Sequence, residues 1–194
     1  MFLFYIIFSW LIADVITGVI HWVQDHYFVD DSKYKIVAAI SKDNGLHHSK
    51  PEAMGHLSIW ENINTSAPYG WAASAILFFI GTSPLVWLSV FFASFGNLVH
   101  RFAHIPRNKV PAVIKWLQIT GLFISAKHHN QHHRKTTLSD CQKPIHSLIA
   151  KEDSNTKFCP MTNWMNPILD TVKFFSLLEL LLSFIDIKTI EKKH

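Results

Sequence analysis

"YGWAASAILFFIGTSPLVWLSVFFASFGNLV", residues 69–99, runs for 31 positions without a charged side chain. One membrane crossing needs only about 20 residues. Either a single tilted helix uses the excess, or two shorter helices fold back on each other. Gly81-Thr82-Ser83-Pro84 interrupts the run with turn-forming residues. A single span would leave His47 and His100 on opposite faces of a bilayer. A hairpin over about 68–80 and 84–104 returns the chain to the side it left, so that His21, His47, His48, His100 and His104 meet there. The charges favour the hairpin, because Lys33, Lys35, Lys42, Lys50, Arg101, Arg107 and Lys109 then share that side. By the positive-inside rule it is the cytosolic side, with the N-terminus across the membrane.

Outward from the hairpin, residues 1–24 form a second apolar stretch, without a basic leader or a small-residue cleavage site. They read as a retained transmembrane helix rather than a signal peptide. Residues 112–127 are short and mixed, and suit an interfacial or partly buried helix. Residues 172–187, which carry Glu179, suit an amphipathic helix lying on the membrane, with a short span as the alternative. The expected architecture is all-α: one domain over residues 1–194 and about three to four transmembrane helices.

Composition agrees, with 49% hydrophobic and 16% charged residues, against about 25% charged in a soluble domain. All 18 Lys and Arg lie at residue 33 or later and none between Pro51 and His100. A nucleic-acid binder would spread its cations along a polar face instead. Cys141 and Cys159 make neither a disulfide framework nor a CxxC pair, which suits a reducing, cytosol-facing environment.

The chain holds 13 histidines, and their spacing is the strongest chemical signal. His100 and His104 are i, i+4, so they neighbour each other on one helix face. His129, His132 and His133 form HxxHH, His21 pairs with Asp25 at i, i+4, and His47 and His48 are adjacent. A core histidine bonded to a carbonyl explains any one of these better than it explains eight together. Catalytic zinc takes about three protein ligands and structural zinc four. Two ions with about four imidazoles each fit the inventory better. Imidazole suits iron, and a dinuclear iron site that activates O2 is the preferred reading. Asp14, Asp25, Glu61, Asn97, Gln118 and Asp170 are the polar residues placed to orient the imidazoles. Asp14 lies inside an apolar segment, where a carboxyl is costly and usually functional.

The blocks "ADVITGVIHWVQD", "HHSKP", "NLVHRFAH", "LQITGLFISAKHHNQHH" and "FCPMTNWMNPILD", in this order, resemble membrane lipid desaturases of the plasmanylethanolamine desaturase type. They reach from Ala13 to Asp170. The resemblance implies metal ligation by His21, His47, His48, His100, His104, His129, His132 and His133. It adds Asp25 and Asn97 as catalytic-site residues, and makes His128 a neighbour of the site and His56 an even choice. In the family the Cys-containing block follows HxxHH closely; here Cys159 stands 26 residues after His133. Residues 134–157, with Cys141 and His146, read as an insertion.

The implied chemistry is O2-dependent, diiron desaturation of a membrane lipid chain, conversion of a 1-O-alkyl chain to a vinyl ether (plasmalogen formation) being the first expectation. Desaturation of a phospholipid acyl chain, or a related hydroxylation, is the alternative. No flavin or nicotinamide fingerprint of the GxGxxG kind occurs, so a cytochrome b5-like or ferredoxin-type donor is implied as partner. The implied location is the endoplasmic reticulum in a eukaryote or the inner membrane in a bacterium. A zinc-dependent membrane hydrolase would leave about five histidines unexplained. A metal transporter would carry its ligands near the bilayer midplane.

Overall fold

The computed structural model describes residues 1–135 and 156–184. Within them every regular element is helical. Ten helices run as α1 (Phe2–Tyr27), α2 (Lys35–Ser49), α3 (Glu52–His56), α4 (Ile59–Phe79), α5 (Pro84–Ala93), α6 (Gly96–Ala103), α7 (Ala112–Ile119), α8 (Ala126–Lys135), α9 (Met165–Thr171) and α10 (Phe174–Phe184). Cys141 and His146 lie outside the described residues.

α1 owes its place to one stripe. Asp14, Thr17, Gly18, His21, Trp22 and Asp25 are all buried, at the i, i+3, i+4 spacing of a single face. Phe8 and Ile20, off that stripe, are exposed. The polar groups of this stripe face inward, with Trp22 as the one large apolar side chain among them.

The turn at Gly81 does fold residues 59–93 back on themselves. Gly81 has φ +77°, a left-handed conformation that costs glycine little. Ser83 and Pro84 then start α5 in the N-cap and N1 positions. Ser66 Oγ donates to Ser94 O at 2.8 Å and Ser74 Oγ to Trp87 O at 2.8 Å, so α4 and α5 run antiparallel. Two details differ from expectation. α4 begins at Ile59, not near 68, because Ser58 and Glu61 form a reciprocal capping box. The expected helix 84–104 is two, bent by 46° between α5 and α6. The bend falls at Ser94-Phe95-Gly96, where Ser94 Oγ turns back to Phe91 O at 2.6 Å. Gly96 there lies against α1 so tightly that a Cβ would stand 2.6 Å from Thr17 Cγ2.

Among the described helices α1 alone is long and apolar enough to cross a membrane, and α5 with α6 meets that test only as one bent unit. α7 is shorter than expected, ending at Ile119 before Gly121 at φ +80°. α10 falls within the expected 172–187, but its carboxyl is inverted. Glu179 is buried while Leu177, Leu180 and Leu181 are exposed, the reverse of a helix with its polar face in water.

Two apolar clusters hold the helices around the histidines. Trp22, Tyr27, Phe158, Cys159, Leu169 and Phe175 join α1 to the 158–159 segment, α9 and α10. Ala13, Val99, Ala103, Ile124 and Met161 join α1 to α6 and the approach to α8.

Candidate metal centre

Four helices deliver the donors. α1 brings His21 and Asp25 one turn apart. α2 ends on His47 and His48, α6 contributes His100 with His104 as its C-cap, and α8 presents His129, His132 and His133. Their donor atoms fall into two groups. His47, His100, His104, His129 and His133 form one; His21, Asp25, His48 and His132 form the other. Within each group one donor atom per residue lies within 4.8 Å of every other. Helical geometry explains the split. Consecutive residues point about 100° apart on a 3.6-residue turn, so His47 and His48 serve different groups, as do His132 and His133.

In the five-histidine group the Nε2 atoms converge. His100 Nε2 is 2.6 Å from His129 Nε2 and 3.1 Å from His104 Nε2, and His133 Nε2 is 2.9 Å from His129 Nε2. A neutral imidazole has one N–H and one lone pair, so this chain of contacts leaves lone pairs facing one centre. Two nitrogens on one ion, each about 2.1 Å from it, stand roughly 3.0–3.4 Å apart. The spacing and the donor type both fit a metal ion. So do buried ring nitrogens without a hydrogen-bond partner, both of His47 and Nε2 of His21. Leaving such atoms unpaired costs about 1–3 kcal/mol each, and an ion relieves that cost where the lone pair faces it.

In the second group Asp25 is central and fully enclosed. Its Oδ1 lies 3.1 Å from His48 Nε2 and 3.7 Å from His21 Nε2, and its Oδ2 lies 3.2 Å from His132 Nε2. Asn44 Nδ2 donates to Oδ1 at 2.7 Å and fixes the carboxylate from α2. The Phe158 carbonyl accepts from His21 Nδ1 at 3.1 Å. That bond places the His21 proton on Nδ1 and frees Nε2 as a donor.

Burial keeps the rings of His47, His104, His129 and His133 neutral. It pushes His104 down to about 4, with His132 and His48 adding to the effect, and His133 down to about 2, with His132 and His48 again adding. His47 and His129 lie well below the usual histidine range for the same reasons, burial first and neighbouring imidazoles second. Neutral imidazole is the metal-binding form.

Not every expected residue joins. Asn97 lies in neither group; its Nδ2 donates to Thr65 Oγ1 at 2.8 Å, tying α6 to α4. His128 and His56 also lie outside both groups. Asp14 touches no imidazole. It accepts from Met161 N at 2.7 Å, Thr162 N at 3.0 Å and Thr162 Oγ1 at 2.6 Å. Glu61 caps α4, Gln118 donates to the Phe102 and Ile124 carbonyls, and Asp170 pairs with Lys157. Sequence reasoning missed Asn44 and the Phe158 carbonyl. Asn44 had a signal, since it stands one turn before His47 and His48; a main-chain carbonyl has none.

A family model described as the lipid desaturase domain matches residues 10–189. A probable fatty acid desaturase of Acanthamoeba polyphaga mimivirus is 26% identical over 185 residues, covering 95% of this chain and 82% of the viral one. The chloroplastic fatty acid desaturase 4 of Arabidopsis thaliana is 26% identical over 180 residues, covering 91% of this chain and 50% of the plant one. The plasmanylethanolamine desaturase of Myxococcus xanthus is 23% identical over 189 residues, covering 92% and 59%. The chain thus spans only about half to three fifths of these plant and bacterial relatives. No solved structure matches the chain.

Proposed function

The chain belongs to the lipid desaturase domain family, and from that membership we propose that it is a membrane-embedded, O2-dependent diiron oxidoreductase that introduces a double bond into a lipid chain. The observation that carries the reading is the gathering of eight histidines and Asp25 into two adjoining donor groups. Each turnover takes two hydrogens from a vicinal methylene pair. With two electrons and two protons from a donor, one O2 becomes two waters.

When bound, two iron ions supply the O2 activation and one-electron steps that side chains cannot. The five-histidine group holds one and His21, Asp25, His48 and His132 hold the other. Asp25, fixed by Asn44, offsets part of the positive charge in a buried site, where uncompensated charge is costly. Phe158, fully buried with its ring centroid 5.0 Å from that of His132 in the second group, excludes water that would divert the oxidant. Exposed Lys33, Lys35, Lys42, Lys50, Arg107 and Lys109 would steer an acidic cytochrome b5-like or ferredoxin-type donor to a cytosolic face. The membrane is the endoplasmic reticulum in a eukaryote and the inner membrane in a bacterium.

The preferred substrate is the 1-O-alkyl chain of an ether phospholipid, giving a vinyl ether. A phospholipid acyl chain is the second reading, favoured by the names of the viral and plant relatives. Metal analysis of detergent-purified wild type and His132→Ala comes first. About two irons per chain, reduced in the variant, support the reading; zinc without iron sinks it. Feeding both lipid types to the reduced enzyme then decides the substrate. Acid-labile aldehyde release marks the vinyl ether, and a new acyl double bond marks the alternative.

A further inference from the structure

The segment from Phe158 to Asn166 makes many hydrogen bonds to its surroundings although it contributes no side chain to either donor group. Asn166, fully buried, reads the backbone of Cys159 on both sides: its Oδ1 accepts from Cys159 N at 2.9 Å and its Nδ2 donates to Cys159 O at 2.8 Å. Asp14 holds the next residues through Met161 N, Thr162 N and Thr162 Oγ1. Met161 O in turn accepts from Ile124 N at 2.7 Å, just before α8. The segment crosses α1 at Gly18, where a Cβ would stand 2.7 Å from Cys159 Sγ. Immediately before Cys159, which Asn166 anchors and Gly18 packs against, the buried Phe158 carbonyl accepts from His21 Nδ1.

We infer that Asn166 and Asp14 are positioning residues for one metal position: they hold the Phe158 carbonyl against His21 Nδ1, so that His21 Nε2 is offered to the group of His21, Asp25, His48 and His132. The inference rests on the two-metal reading above. Free imidazole is not committed to carrying its proton on Nδ1, so the carbonyl must be held in place to keep it there. Among the described residues no side-chain hydrogen bond joins the five-histidine group to this segment, and its donors reach it from α2, α6 and α8. Asn166 holds Cys159, next to Phe158, whereas the link toward α8 runs through Met161, which Asp14 holds, so loosening the Asn166 part of the clamp acts on one ion.

The test is a titration of detergent-purified, metal-free protein with Co2+ alone, followed by visible absorption. Wild type is expected to bind two ions. Asn166→Ala is expected to keep one at wild-type affinity and to bind the other about 10- to 100-fold more weakly, the usual cost of losing an outer hydrogen bond. Asn62→Ala, which removes an equally buried asparagine that donates to Ser58 O, is expected to lower thermal stability while leaving both affinities unchanged. Two tight ions in Asn166→Ala, or equal weakening of both, overturns the inference while leaving the two-metal reading intact. Wild type that binds no ion overturns the two-metal reading itself. If Asn166→Ala does not fold, ring-nitrogen NMR of metal-free wild type, with His21→Ala for assignment, decides the matter. A proton on His21 Nδ1 supports the clamp, and a proton on Nε2 overturns it.

Discussion

His47 and His48 are neighbours in sequence and belong to different donor groups. Substituting each with alanine should therefore weaken a different ion. In a Co2+ titration His47→Ala is expected to lose the ion of the five-histidine group, His48→Ala the other, and the double variant both. One shared loss for the two single variants would contradict the partition. Asp25→Asn keeps the shape of the carboxylate and removes its charge, and should weaken the second ion only. Asp14 acts through the segment it holds rather than as a donor, and its substitution is visible in thermal unfolding as well. Asp14→Asn turns an acceptor toward a donor in a fully buried pocket, and is expected to cost about 1–3 kcal/mol. At this scale the sequence was most legible where the chemistry is carried by side chains at helical spacing. His129, His132 and His133 were readable from HxxHH alone. The Phe158 carbonyl was not, because any residue supplies a carbonyl and only the tertiary path of the 158–163 segment brings this one to His21.

At the scale of elements, the hairpin turn was legible because glycine and proline constrain backbone directly. The bend between α5 and α6 was not, although Ser94 and Gly96 were in plain view. Serine and glycine are common in apolar helices, and the cause of the bend is tertiary: Ser66 occupies the Ser94 carbonyl and Thr17 crowds Gly96. Gly96→Val should push α6 away from α1, costing about 1–3 kcal/mol as overpacking does, and should lower metal content because His100 rides on α6. Ser58→Ala removes the α4 cap, with an expected loss of about 1 kcal/mol and no change in metal content. Comparing melting temperature with metal content in these two variants separates a helix that aims the donors from one that only supports the scaffold.

For the whole molecule, the distribution of polarity is the informative property. Ser9, Asp14, Thr17, Ser74, Ser89 and Glu179 are buried, while Phe2, Phe8, Phe78, Phe79, Ile80, Leu177 and Leu181 are exposed. Water would select against this arrangement and hydrocarbon selects for it. The protein is expected to stay with membranes through high-salt and alkaline washes and to leave them only with detergent; release by salt would contradict a membrane-embedded fold. The expected number of crossings was harder to read than the chemistry. Apolar character runs on along the chain where the helices do not: α4 starts among polar residues and α5 is only 10 residues long.

The donors are contributed by α1, α2, α6 and α8, in that order along the chain. Each group draws on α8: His129 and His133 for one, His132 for the other. During synthesis neither group is complete until Ala126–Lys135 has left the ribosome. The earlier helices then wait with clustered imidazoles and no ion to draw them together. An ion that binds only the folded arrangement stabilises it by mass action, so on the proposed two-metal reading maturation would be limited by the supply of metal at that moment. If that metal is iron, as proposed, cells starved of it should accumulate a full-length chain that proteases cut readily, without any change in its sequence or its rate of production.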